Sequence, residues 1–186
     1  MRIDPITPVQ LTAGPFTLRP WAPEDADVLA ELYGDEAMRR WAGDPVHDAA
    51  SAARWVAEQR RGWETGTRLA FAVQETRGPD ARPAGNVVLK RGATAAGSAE
   101  VGYWTAAHAR GRGVAPRALT ALADWAFGTF AQEGLTRLEL LHQVDNTASC
   151  RVAEKSGFAL SGLLPAAPPA FPLDGHLHLR QAPSAS

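Results

Sequence analysis

The segment Arg110-Gly111-Arg112-Gly113-Val114-Ala115 constrains this chain more than any other stretch of it. It stands between a strand-like run ending at Thr105 and a long amphipathic run that starts near Val114. Glycine admits backbone angles and close approaches that a Cβ forbids. A turn of this kind leaves several N–H groups pointing outward, and the start of the helix adds the positive end of its dipole at the same place. The segment therefore predicts a strand–turn–helix unit shaped for an anionic group, with a pyrophosphate as its natural guest.

The rest of the chain supplies the other layers. Pro15 to Trp21 reads as extended, and Pro23-Glu24-Asp25 opens a helix carrying Val28, Leu29, Leu32 and Tyr33 up to Gly34. A second helix starts at Asp48 and runs to about Arg61, with Gly62 as its stop. Leu69 to Val73, Asn86 to Leu89 and Glu100 to Thr105 read as strands, separated by the turn Arg77-Gly78-Pro79-Asp80 and the small-residue loop Gly92 to Gly97. Leu119, Leu122, Ala123, Ala126, Phe127 and Phe130 form one apolar stripe at helical spacing, with Pro116 in the first turn where its missing N–H is harmless. Leu135 to Leu141 is strand-like, and a helix from about Ala148 to Lys155 ends at Gly157. Phe158 to Leu163 and His176 to Leu179 are the last strands, divided by the proline-rich stretch from Pro165 to Pro172. The tail from Gln181 to Ser186 is expected to be disordered. With no repeat and no linker, residues 1–186 predict one mixed α/β domain of about seven strands and four helices, its core spanning about 14–180.

Composition narrows the function classes. The 186 residues carry a formal net charge of −1, which argues against a general nucleic-acid binder. Arginine supplies all but two of the 19 basic residues. Its planar fork suits phosphates, although a biased genome gives the same count. Cys150 is the only cysteine, so no intramolecular disulfide is possible and no cysteine-based zinc site is expected. No apolar run resembles a signal peptide or approaches the ~20 residues of a membrane span, and a cytoplasmic protein is expected.

Gly111-x-Gly113 looks like half of a dinucleotide fingerprint, but Pro116 stands where the third glycine belongs. The acidic residue about 20 positions on would be Glu133, which precedes the next strand instead of ending it. A Walker-type loop fails because no Gly-Lys-Ser/Thr follows. Arg110-x-x-Gly113-x-Ala115 does fit the acyl-CoA turn of the GNAT superfamily of acetyl-CoA-dependent N-acetyltransferases. Around it stand Glu100-Val101-Gly102-Tyr103-Trp104, Asn146-x-x-Ser149 and Arg151 to Phe158, with Phe16-Thr17-Leu18-Arg19-Pro20-Trp21 near the start. That ensemble resembles the ribosomal-protein alanine acetyltransferase (Rim-type) branch over about residues 14–180.

The resemblance implies a central, mostly antiparallel, splayed sheet and direct attack of a primary amine on acetyl-CoA, through a tetrahedral intermediate and without a metal. The acceptor it implies is a protein N-terminal amine, with a small-molecule amine or antibiotic as the alternative; a homodimer fits the branch. A non-catalytic acyl-CoA-binding module is the rival of another class. The backbone of Gly111, Arg112, Gly113, Val114 and Ala115 would hold the pyrophosphate, with the Arg110 and Arg112 side chains screening its charge. Main-chain groups of Tyr103, Trp104 and Thr105 would pair with the pantetheine arm, as would the Asn146 amide.

Acetyl transfer needs a base for the ammonium proton and a donor for the leaving thiolate. Glu100 is the candidate base, directly or through water, against its reading as a plain surface carboxylate. Ser149 is the candidate contact for the sulfur, against its reading as a helix-capping residue. The tyrosine that many superfamily members carry on that helix is replaced by Ala153. Cys150 reads as an incidental thiol, although Arg151 and His142 are near it in sequence. His176 and His178 point the same way along the last strand, placed to contact the acceptor or a metal, but two histidines without a third ligand make a poor zinc site, and neither His142 nor His108 carries a signal. Trp41, Trp55 and Trp63 either line an acceptor pocket or belong to the core.

Overall fold

The computed structural model describes residues 6–42, 45–76, 82–92, 95–169 and 171–183. The turn expected at 77–80, part of the 92–97 loop and the end of the tail lie outside the described residues. Along the chain run β1 (Leu11–Ala13), β2 (Phe16–Pro20), α1 (Ala26–Leu32), α2 (Glu36–Ala42), α3 (Ala49–Thr65), β3 (Arg68–Glu75), β4 (Pro83–Lys90) and β5 (Ser98–Thr105). They are followed by α4 (Val114–Thr129), β6 (Arg137–Gln143), α5 (Thr147–Lys155), β7 (Ala159–Leu164) and β8 (Gly175–Gln181). The strands make one sheet in the order β1-β2-β3-β4-β5-β6-β8-β7.

Two elements exceed the sequence expectation of seven strands and four helices. β1 is three residues long and pairs with β2 around Gly14, too short to show an alternation of its own. α2 buries only Met38, so it shows no apolar period; Asp35 starts it by accepting the Met38 N–H at 2.9 Å. At the other end, Gln181 still pairs with Arg137 in β8, and the Ala182 N–H donates to the Thr136 carbonyl. Ordered pairing thus runs further into the tail than its composition suggests.

Period-two alternation sorts side chains between two cores. Leu69, Phe71 and Val73 of β3 face the α4 stripe, every member of which is buried. Ala70 and Ala72 face Trp21, Leu29 and Trp55 on the side of α1–α3. Each large side chain so buried contributes about 1.5–3 kcal/mol.

Gly62 does not end α3, which continues to Thr65 and stops at Gly66 with φ of 67°. Gly62 is there because α3 crosses the start of β3 closely: a Cβ would lie 2.3 Å from the Arg68 carbonyl oxygen. Gly62→Ala is expected to destabilise the fold by about 1–3 kcal/mol through overpacking against backbone, read as a lower Tm in thermal unfolding. An unchanged Tm would refute the close-approach reading.

The feature that shapes the site is the one parallel pair among the described residues. β5 and β6 are in register only from Ser98↔Arg137 to Val101↔Leu140. Beyond that point β5 stays on β4 as far as Gly85↔Thr105, while β6 stays on β8 as far as Gln143↔Gly175. The sheet splits, and the Gly102–Thr105 edge of β5 faces a notch instead of a strand.

Candidate functional site

The glycine turn lies at the mouth of this notch. β5 ends at Thr105, one 3-10 turn spans Ala107–Ala109, and Gly113 caps α4 with φ of 76°. Gly111 shares that φ of 76°, and a Cβ there would meet nothing within 4 Å. Among the described residues no side chain caps the helix, and the third helical residue, Pro116, has no N–H. The first backbone bond into the helix is Arg117 N–H to the Gly113 carbonyl, at 3.3 Å. Val114 and Ala115 thus present their N–H groups outward, where the helix dipole favours an anion. These features fit a pyrophosphate.

The two arginines are held differently from the sequence expectation. Arg110 pairs with Asp35, and Arg112 pairs with Glu75. The Arg110 guanidinium, helped by the Met38 N–H, holds the Asp35 carboxyl below the usual carboxylate range. The backbone is what the turn offers an anion, and the arginines are already neutralised by neighbours that sequence separation hid.

Within the split, Tyr103 of β5 meets α5. Its phenol donates to Ser149 Oγ at 2.8 Å, and Ser149 is only 8 % exposed. Burial pushes the Tyr103 pKa above its ordinary value near 10, so the phenol keeps its proton. Asn146 is the N-cap of α5, its Oδ1 accepting the Ser149 N–H at 3.2 Å, and its amide nitrogen makes no hydrogen bond among the described residues. Ala153, where a helical tyrosine would stand, is fully buried in the core. The structure thus provides a phenol at Ser149 from β5 instead of from α5. Sequence reasoning placed Tyr103 in the site only for its main chain.

Glu100 does not join Ser149. It lies on the opposite face of β5, at the closed rung beside Glu139, and forms an ion pair with Lys90. Trp104 faces the same way, buried between Trp21 and Tyr33. Among the early tryptophans, Trp55 packs edge-on against Trp21 at 5.1 Å, and the Trp63 indole donates to the Ala70 carbonyl at 3.0 Å, so both belong to the core. Trp41 is 38 % exposed, with the Arg40 guanidinium 4.5 Å from its ring centre.

The histidines give the largest departure from the sequence reading. The β6–β8 register sets His142 opposite His176 and Leu140 opposite His178, and α5 lays Cys150 against them. One donor atom from each of the four lies within 4.8 Å of the others. The ligands that the His176–His178 pair lacks in sequence are present in space. His108 is not among them.

A mostly antiparallel sheet that splits beside its parallel pair, with a glycine turn opening a helix at the split, is the fold that the resemblance implied. The family profile described as Acetyltransferase (GNAT) domain matches residues 16–159, and the chain belongs to that family. A search of curated protein sequences finds no match. Among solved structures, Mycobacterium smegmatis RimJ in complex with CoA-disulfide is 26% identical, with 97% of this chain and 88% of that one covered at a TM-score of 0.74. The ribosomal-protein-S5-alanine acetyltransferase of Vibrio fischeri is 16% identical, covering 96% and 99% at 0.77. The microcin C7 self-immunity acetyltransferase MccE, in complex with acetyl-CoA and AMP, is 20% identical, covering 95% and 98% at 0.78. Among the described residues no helix is long and apolar enough to cross a membrane.

Proposed function

We propose that this chain transfers an acetyl group from acetyl-CoA to a primary amine, and that the amine is a protein N-terminal α-amino group. The observation that carries the reading is the split between β5 and β6, with the glycine turn at its mouth and the Tyr103–Ser149 pair within it. Bound acetyl-CoA supplies the activated thioester. Gly111 and the N–H groups of Arg112, Gly113, Val114 and Ala115 hold the pyrophosphate, and Arg110 and Arg112 exchange their carboxylate partners for it. The Tyr103, Trp104 and Thr105 edge and the Asn146 amide align the pantetheine arm. Ser149, backed by the Tyr103 phenol, stabilises and protonates the departing sulfur.

Glu100 takes up the amine's proton through water, reaching the reacting centre from the α1–α3 face while Ser149 acts from the other. Opposite-face placement suits an acid and a base that must not neutralise one another. The likeness to the ribosomal-protein-S5-alanine acetyltransferase of Vibrio fischeri supports a protein acceptor. The likeness to MccE favours a small-molecule amine as the second reading.

Coenzyme A release, measured over N-terminal peptides and small amines, tests the reading. Turnover is expected on peptides, with kcat lowered and the KM for acetyl-CoA kept in Glu100→Gln. Tight acetyl-CoA binding with no turnover on any amine would make the chain a binding module, and an unaltered pH–rate profile in Glu100→Gln would remove that residue from the chemistry.

A further inference from the structure

From the convergence of four donors on one point, we propose that His142, Cys150, His176 and His178 form a tetrahedral site for a borderline-soft divalent ion of the zinc type. The site lies beside the acetyl-transfer notch and does not depend on that chemistry. His142 Nε2 and His178 Nε2 face each other at 3.2 Å, and Cys150 Sγ lies 3.3 Å from His176 Nδ1. In a tetrahedral zinc site, Zn–N bonds of about 2.0–2.1 Å put two imidazole nitrogens about 3.3 Å apart, and a Zn–S bond of about 2.3 Å puts sulfur about 3.6 Å from nitrogen. These two spacings sit close to both, and all four donor atoms lie within 4.8 Å of one another.

The outer groups argue the same way. His142 Nδ1 lies 2.9 Å from the Gln143 carbonyl, and His178 Nδ1 lies 3.4 Å from the Phe158 carbonyl. A carbonyl only accepts, so each ring places its proton on Nδ1. Both Nε2 lone pairs then converge on one spot and repel unless a cation stands between them. Metal-bound histidines are oriented in this way, by donating the other ring N–H to a carbonyl.

Position and chemistry add to this. Three imidazoles and a thiol exclude magnesium and calcium, which take oxygen donors. The ligands come from β6, β8 and α5, so the ion would tie the helix that carries Ser149 to the sheet. Its role is structural, holding the start of α5 at the split.

Cobalt is the probe, because a thiolate ligand gives it a near-ultraviolet charge-transfer band and tetrahedral geometry gives it intense visible bands. The purified full-length chain, stripped with chelator, is titrated with Co2+ and then with Zn2+. One Co2+ per chain with both signatures, displaced by Zn2+, is expected. Zn2+ is also expected to raise the Tm. Cys150→Ser should abolish the charge-transfer band and weaken Zn2+ binding by more than about 100-fold, beyond the loss of a supporting outer group. Because His178 is 1 % exposed and its replacement risks unfolding, His176→Gln serves as the second variant, with the same expected loss. No bound metal would overturn the proposal and leave a proton shared by the two imidazoles. A cobalt spectrum that survives in Cys150→Ser would overturn it equally.

Discussion

Gly113→Asp is expected to lose acetyl-CoA binding while the chain still folds. Gly113 sits at φ 76° as the cap of α4, in the left-handed region where aspartate and asparagine are the best tolerated alternatives to glycine. Space is available, since the nearest atom to a new Cβ is Arg117 Nε at 3.6 Å. The loss therefore comes from charge and crowding at the anion site. A carboxylate about 4 Å from a phosphate oxygen costs about 4 kcal/mol at an effective dielectric of about 20, close to a thousandfold in Kd. It would also draw Arg117 to itself. Gly113→Asn has the same shape without the charge and should lose far less. Calorimetric titration with coenzyme A reads both variants, and a Tm within a few degrees of wild type shows that each is folded. Equal affinity in Gly113→Asp and the parent would remove the turn from the site.

What the sequence disclosed follows from the range over which its signals act. The α4 stripe, the Asp48 cap and the strand–turn–helix unit are local patterns, and each stands where periodicity and capping place it. Gly62 misled because its reason is not local: a glycine that lets a helix approach a strand reads like one that ends the helix. β1 and α2 were illegible because three residues and a single buried Met38 carry no period.

The candidate site divides in the same way. The shape of its backbone half, from Gly111 to Pro116, was legible because glycine and proline speak for their own dihedrals. The side-chain half was not. Arg110 finds Asp35, and Tyr103 finds Ser149, across separations that only the folded sheet closes. His142 lines up with His176 only through the β6–β8 register. The available signals were the alternation His176-x-His178, which puts two donors on one face, and the nearness of His142 to Cys150 in sequence; neither says that the two pairs meet.

The Tyr103–Ser149 pair carries the other large expectation. Tyr103→Phe deletes a half-buried donor 2.8 Å from Ser149 Oγ and leaves the ring in place. Ser149→Ala deletes the acceptor. If the pair delivers a proton to the leaving sulfur, kcat falls by about 10²–10⁴-fold in Ser149→Ala, the range for a positioned general acid, with the KM for acetyl-CoA little changed. Tyr103→Phe should fall less far, because the serine hydroxyl remains. The double variant should be scarcely slower than Ser149→Ala, since two groups acting as one relay do not add. A structural hydrogen bond behaves otherwise: its loss lowers the Tm, at about 1–3 kcal/mol for an orphaned buried group, and leaves kcat alone. The pH profile separates the cases further. With its pKa raised by burial, the Tyr103 phenol is protonated throughout the range below about pH 10, so removing it should lower the whole kcat profile there without moving its breaks. Retained kcat in both single variants would take the relay out of the mechanism, whatever the fate of the glycine turn.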